Sequence, residues 1–186
     1  MSTQLPPGWK LISSTYLHRK NWLTVRCDHL RLPNGHEIPE YFVLEYPAWI
    51  NVIALDDAGQ FILVRQFRYG LGATHYELCA GVCEPDETPL EAARRELMEE
   101  TGYGGGEWEE FIVTSPNPAT SDNLVYCYIA HNLKVLSAPS PEASEQLEVH
   151  VVGKARLYEL MDTGGIVQAT HLAALWKYRA LIDTAV

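Results

Sequence analysis

At 186 residues with 47% apolar content, the chain is long enough to bury the core of one ordinary globular domain. Its 24 acidic residues against 14 basic ones give a net charge of −10, which argues against nucleic acid as a partner, because a phosphate backbone needs a basic surface. Four cysteines make no disulfide framework, and Cys79 and Cys83 lack the second Cys/His pair of a zinc site. With no N-terminal apolar h-region and no run of eighteen apolar residues, the expectation is a soluble cytoplasmic protein without membrane contact.

In chain order, residues 1–8 read as a loose tail carrying Pro6-Pro7. From Trp9 to Tyr46 the pattern is that of strands. Trp22, Thr24 and Arg26 alternate with Leu23, Val25 and Cys27, Pro33-Asn34-Gly35 is a hairpin signal, and Tyr41–Tyr46 is the returning strand. This section is too small to bury its own faces and must pack on the rest of the chain or on another subunit. Strands are expected at Trp49–Leu55 and Phe61–Phe67 around the turn Asp56-Asp57-Ala58-Gly59, with a short one at Tyr76–Leu78. Gly81 begins a loop. Gly104-Gly105-Gly106 is expected to be a mobile turn, followed by strands at Phe111–Thr114 and Leu124–Ala130. Residues 137–145 read as a Pro/Ser/Ala-rich loop, Leu147–Val152 as a strand, and about 154–162 and 168–183 as helices separated by Gly164-Gly165.

The densest chemical signal lies at Arg95-Glu96-Leu97-Met98-Glu99-Glu100. A helix over about Pro89–Thr101 is predicted by Thr88 as N-cap, Pro89 at the first helical position, Glu91 completing a capping box and Gly102 as the stop. Leu90, Ala93 and Leu97 form its apolar stripe. Glu96, Glu99 and Glu100 share one face, where like charges repel unless something positive sits among them. Arg95 can steady that face through Glu91 and Glu99, each four residues away. Crowded hard oxygens suit Mg²⁺, with Mn²⁺ as the second choice, and Mg²⁺ usually binds together with substrate phosphates.

Gly81, Glu87, Arg95, Glu96, Leu97, Glu99, Glu100, Gly102 and Tyr103 together resemble the Nudix box: glycine, any five, glutamate, any seven, then Arg-Glu-apolar-any-Glu-Glu-any-Gly-apolar. The resemblance extends over roughly residues 20–184. It implies a hydrolase that cleaves a nucleoside diphosphate linked to another group, on an α/β/α sandwich around a mixed sheet. It also implies an N-terminal β-strand region, 1–46, for dimerisation and substrate contact, and a hydrolase domain, 47–186.

Within the family the chain resembles the ADP-ribose pyrophosphatase and nucleoside diphosphate sugar hydrolase group. Glu96 and Glu100 are the first choice of metal ligands. Glu99 is a third ligand or a partner of Arg95, and the resemblance adds the carbonyl of Ala80. Glu87 is either a metal contact, direct or through water, or a carboxylate placed at a helix N-terminus for structural reasons. The Gln66-Phe67-Arg68 run resembles the group's Gln-x-Arg and selects Arg68, not Arg65, as the phosphate arginine. Glu77-Leu78-Cys79-Ala80-Gly81 resembles its Glu-x-x-Ala-Gly and brings Glu77 to the substrate side, with Cys79 where proline is common. Pro118, sixteen residues after Gly102, resembles the group's marker proline, although the loop lacks its usual Pro-Gly run.

Glu145 in Glu145-Gln146-Leu147-Glu148-Val149 resembles the catalytic glutamate of a late Glu-x-x-Glu-Val run, which makes it the general base, with Glu142 the nearest rival. Trp22 and Tyr41 fall near the two stacking aromatics that this group supplies from the two subunits of a homodimer, with Tyr46 and Trp49 as alternatives. The implied reaction is Mg²⁺-dependent hydrolysis of a nucleoside diphosphate sugar, foremost ADP-ribose to AMP and ribose 5-phosphate. The alternatives are a GDP-mannose or other sugar-nucleotide hydrolase and, from another class, a non-catalytic ligand sensor.

Overall fold

The computed structural model describes residues 5–184. Backbone contacts divide these described residues into two units: residues 5–47 with 117–123, and residues 48–116 with 124–184.

The first unit is an antiparallel sheet of three strands, β1 (Lys10–Lys20), β2 (Leu23–Arg31) and β3 (Glu37–Glu45), in the order β1-β2-β3. Gly35 turns β2 into β3 at φ 84°, and the Asn34 side chain accepts from the His36 N–H. Asn21-Trp22 turns β1 into β2 with Trp22 at φ 64°, a strained conformation for a bulky side chain. Residues 117–123 run beside β3. Leu44 N–H donates to the Thr120 carbonyl, Asp122 N–H donates to the Leu44 carbonyl, and the Asp122 carboxylate accepts from Tyr46 N–H.

The second unit carries β4 (Trp49–Asp56), β5 (Phe61–Arg68), β6 (Ala73–Glu77), β7 (Cys79–Val82), helix α1 (Pro89–Thr101), β8 (Tyr103–Gly104), β9 (Glu107–Thr114), β10 (Val125–Val135), β11 (Leu147–Val152), α2 (Lys154–Asp162) and α3 (Ala169–Thr184). These strands form one eight-stranded sheet with the spine β11-β5-β4-β10-β8. β6 pairs with β5, β7 with β4 and β9 with β10. The β4–β10 pair is parallel and its neighbours are antiparallel, so the sheet is mixed.

Period-two alternation sorts the strands into two cores. Ile50, Val52, Ala54 and Ile62 meet Ala92, Ala93 and Leu97 of α1. Ile53, Leu55, Phe61 and Leu63 meet Leu157, Leu160 and Met161 of α2 and Ala174 and Leu175 of α3. The unit is therefore helix, sheet, helix, as the expected sandwich requires.

Local expectations fail where tertiary pairing outweighs punctuation. Gly81 does not open a loop. It lies in β7, paired with Ile50 of β4. The triple glycine is not a free turn either. Gly104 pairs with Lys134 in β8, and a Cβ on Gly106 would strike the His131 carbonyl. Its strand, β9, accordingly starts at Glu107 and not at Phe111. β10 runs past Ala130 to Val135 because an irregularity between Ala130 and Leu133, with Asn132 at φ 57°, restarts the pairing. Residues 1–4 of the expected tail lie outside the described residues.

Candidate active site

α1 forms as its capping signals require. Thr88 accepts from Glu91 N–H, Glu91 accepts from Thr88 N–H at 2.8 Å, and Gly102 closes the helix at φ 74°. Its buried face holds two carboxylates, Glu96 and Glu100, beside Ala92, Ala93 and Leu97, while Leu90 of the predicted stripe is half-buried. Glu100 is 1% exposed and accepts from Ala80 N–H at 3.3 Å. Burial foremost, with the nearby Glu96 and Glu145 charges, pushes its carboxyl up to about 8. Burial also raises Glu96.

Arg95 is the hub of the box. It grips both oxygens of Glu87 at 2.9 Å, donates to Glu96 at 2.9 Å and Glu99 at 3.2 Å, and reaches the Val82 carbonyl at 3.0 Å. Glu87, lowered mainly by that contact, thus serves as a clamp on Arg95 in this arrangement. Gly81 is glycine for a steric reason, since a Cβ there would collide with the Glu96 carboxyl group. Cys79, on the same face of β7 as Gly81, is fully buried beside Glu100, and its thiol is pushed well up by burial. All four cysteines are free.

Alternation along β5 separates its two arginines. Arg68 lies on the α1 side and forms a fork with Glu77, Nε to Oε1 at 2.8 Å and Nη2 to Oε2 at 2.6 Å. Gln66, on the same side, donates to Glu77 at 3.3 Å. Arg65 lies on the other side, bonded to Glu148 at 3.2 Å with its guanidinium over Tyr76.

Glu145 sits in a turn, where its backbone N–H donates to the Glu142 carbonyl and its carboxylate accepts from Glu142 N–H. Its charge is felt at Arg68, Cys79, Glu96 and Glu100. Glu142 is exposed. Glu148 is exposed at the start of β11 and is bonded to Arg65 and His150. Trp49 lies in β4.

The structure therefore gathers Arg68, Glu77, Ala80, Arg95, Glu96, Glu99, Glu100 and Glu145 on the α1 side of the second unit. Trp22, Tyr41 and Pro118 belong to the first unit. There Trp22 is 70% exposed at its hairpin tip, and the Tyr41 hydroxyl donates to the carbonyl of Ala119, next to Pro118, at 2.6 Å. One residue that sequence reasoning missed is His171 of α3, whose Nδ1 accepts from Leu78 N–H at 3.3 Å and which burial holds down at about 4. Nothing local in the sequence marks a helix histidine as packed against a distant strand end.

Among the described residues no three His, Cys, Asp or Glu side chains converge on one point. The donor set is nonetheless suited to a hard divalent cation. It offers carboxylate oxygens on one helix face, two of them burdened by burial and by repulsion from neighbouring carboxylates that a cation would relieve.

A NUDIX domain model matches residues 45–168. The chain belongs to the Nudix family. A nucleoside diphosphate sugar hydrolase N-terminal domain model matches residues 9–44. An ADP-ribose pyrophosphatase of Bacillus subtilis (strain 168) is 30% identical over 154 residues, 81% of this chain and 83% of that one. The ADP-ribose pyrophosphatase of Mycobacterium tuberculosis is 31% identical over 138 residues, 74% and 66% of the two chains. A GDP-mannose pyrophosphatase of Salmonella typhimurium is 31% identical over 113 residues, 56% and 59%. A crystal structure of an ADP compounds hydrolase superposes with a TM-score of 0.82 over 95% of each chain at 22% identity, which speaks to the fold. This Nudix hydrolase, like its family in general, is expected to work with a divalent metal. No helix among its described residues is long and apolar enough to cross a membrane.

Proposed function

We propose that this Nudix hydrolase cleaves the pyrophosphate of a nucleoside diphosphate sugar, with ADP-ribose as substrate and AMP and ribose 5-phosphate as products. The observation that carries the reading is the pair of buried carboxylates, Glu96 and Glu100, on one face of α1, with Arg68 held on that same side of the sheet. The two ADP-ribose pyrophosphatases among the relatives support the choice of substrate.

Mg²⁺ would be held by Glu96 and Glu100, with Glu99 and the Ala80 carbonyl completing the oxygen set. When bound, it supplies neutralisation of phosphate charge and acidification of water. Glu145 accepts the proton of the attacking water. Arg68 binds a phosphate oxygen with its free N–H edge. Arg95 keeps Glu96 and Glu99 in place and touches no substrate. Trp22 and Tyr41 stack on the nucleobase and Pro118 borders the sugar side, in a homodimer built on the N-terminal sheet, in the cytoplasm.

The three-stranded sheet supports that dimer, because Leu11, Ile12, Tyr16 and Leu17 of β1 are all exposed. Sedimentation should give about twice the 20.9 kDa chain mass.

A panel of ADP-ribose, GDP-mannose, UDP-glucose and ADP-glucose with Mg²⁺, followed by product analysis, tests the reading. ADP-ribose should be turned over fastest and chelator should abolish turnover. Preferred turnover of GDP-mannose, the activity in the name of the Salmonella relative, would replace the substrate assignment. Binding without turnover of any of the four would replace the enzyme by a sensor.

A further inference from the structure

Glu77 stands at the end of β6, beside the proposed phosphate arginine, and is unsuited to touching substrate itself. It is 3% exposed, and both of its oxygens are already engaged by Arg68 and Gln66. A carboxylate facing a phosphate would also repel it. We propose that Glu77 is a positioning residue, locking the Arg68 guanidinium in one orientation so that its remaining nitrogen, Nη1, meets a substrate phosphate oxygen. The inference rests on the reading of Arg68 as the phosphate arginine.

The geometry is that of a two-point clamp. Arg68 uses its Nε–Nη2 edge on Glu77, so the guanidinium plane is fixed by two short parallel bonds, and Nη1 lies on the edge turned away. A half-exposed arginine otherwise spreads over many rotamers, and ordering it on substrate binding costs affinity. Glu77 meets that cost in advance, because it is itself held. Its backbone pairs with Val64 of β5, Gln66 donates to Oε2, and the N–H of the next residue, Leu78, is taken by buried His171 of α3. A chain of contacts thus runs from α3 through the β6–β7 corner to the guanidinium. The clamp leaves Arg68 paired with one carboxylate, so its selectivity for phosphate comes from direction and its three remaining N–H donors, not from excess charge.

A double-mutant cycle tests this, using Arg68→Ala, Glu77→Gln and the double variant. It is read as KM and kcat on whichever panel substrate the wild type turns over fastest, and as ADP affinity by titration calorimetry with Mg²⁺. Glu77→Gln should raise KM about tenfold, by more than it changes kcat, and weaken ADP binding to match. The double variant should be no worse than Arg68→Ala alone. Effects that multiply, or a Glu77→Gln protein with wild-type KM and ADP affinity, would overturn the clamp. Should Glu77→Gln not fold, Arg68→Lys decides, since it keeps the charge but cannot fork. A KM near that of Arg68→Ala fits the clamp, and a KM near wild type overturns it. If the wild type hydrolyses no panel substrate, the hydrolase reading falls, and the ADP titrations still report on the clamp.

Discussion

The two faces of the eight-stranded sheet are built from the same strands and filled to opposite ends. The face under α2 and α3 packs Leu157, Leu160, Met161, Ala174 and Leu175 onto Ile53, Leu55 and Leu63, with charge kept to its rim. The face under α1 begins just as dry, with Ile50, Val52 and Leu97, and then carries Gln66, Glu77, Glu96 and Glu100 into burial. Burying four such polar side chains is costly unless each is paired. Arg68 and Arg95 supply that pairing for Glu77 and Glu96, while Glu100 is left with backbone and thiol partners. One face stabilises the fold, and the other holds charge in readiness for a ligand.

If that division is right, damage to the two faces should be separable. The largest effect should come from the dry face. Leu157→Ala removes a fully buried side chain and should cost about 2–5 kcal/mol of unfolding free energy, read from urea melts, with KM for substrate unchanged. A shift in KM with no loss of stability would show that the faces are not independent.

Along with the Cys127 thiol, His171 is a titratable group buried under that face. Its folded pKa of about 4 lies below the ordinary 6.5, so the unfolded chain binds more protons between those values and stability rises with pH across them. The contribution is complete above about 6.5, drains as pH falls, and is fully lost below about 4. A pKa difference of that size is worth roughly 3 kcal/mol. His171→Gln should flatten this part of the pH–stability curve, and an unchanged slope would mean that His171 does not carry it.

On the charged face, Glu100→Gln keeps the shape and removes the charge. It should lower kcat roughly 10²-fold, about 2.7 kcal/mol of transition-state stabilisation, while the melting temperature holds or rises because a burdened carboxylate has gone. Near-normal turnover would take Glu100 out of the metal site.

The smallest effect sharpens the comparison within one strand. Arg68→Ala should raise KM about tenfold, whereas Arg65→Ala, on the opposite side of β5 with Glu148, should change it less than about twofold. The reverse ranking would place the phosphate on the wrong face.

Most of the site's parts were legible one segment at a time. Spacing alone put Glu96 and Glu100 on one helix face, the Thr88–Glu91 box and Gly102 marked both helix ends, and β5 alternation parted Arg65 from Arg68. These signals are local. They depend on helix and strand periods and on backbone groups a few residues apart, and a chain carries that information wherever it folds.

What only the tertiary structure decided is which distant segments meet. The pairing of β7 with β4 made a strand of the Gly81 segment and set its bare Cα under Glu96. Arg95 turned Glu87 into a clamp, α3 brought His171 to Leu78, and β5 against β6 joined Arg68 to Glu77. Arg68 and Glu77 face each other across the β5–β6 hairpin and Glu87 precedes the helix that carries Arg95, yet no single helix or strand period specifies any of these pairings. Burial and ion pairing between them arise only once the sheet has brought their segments together.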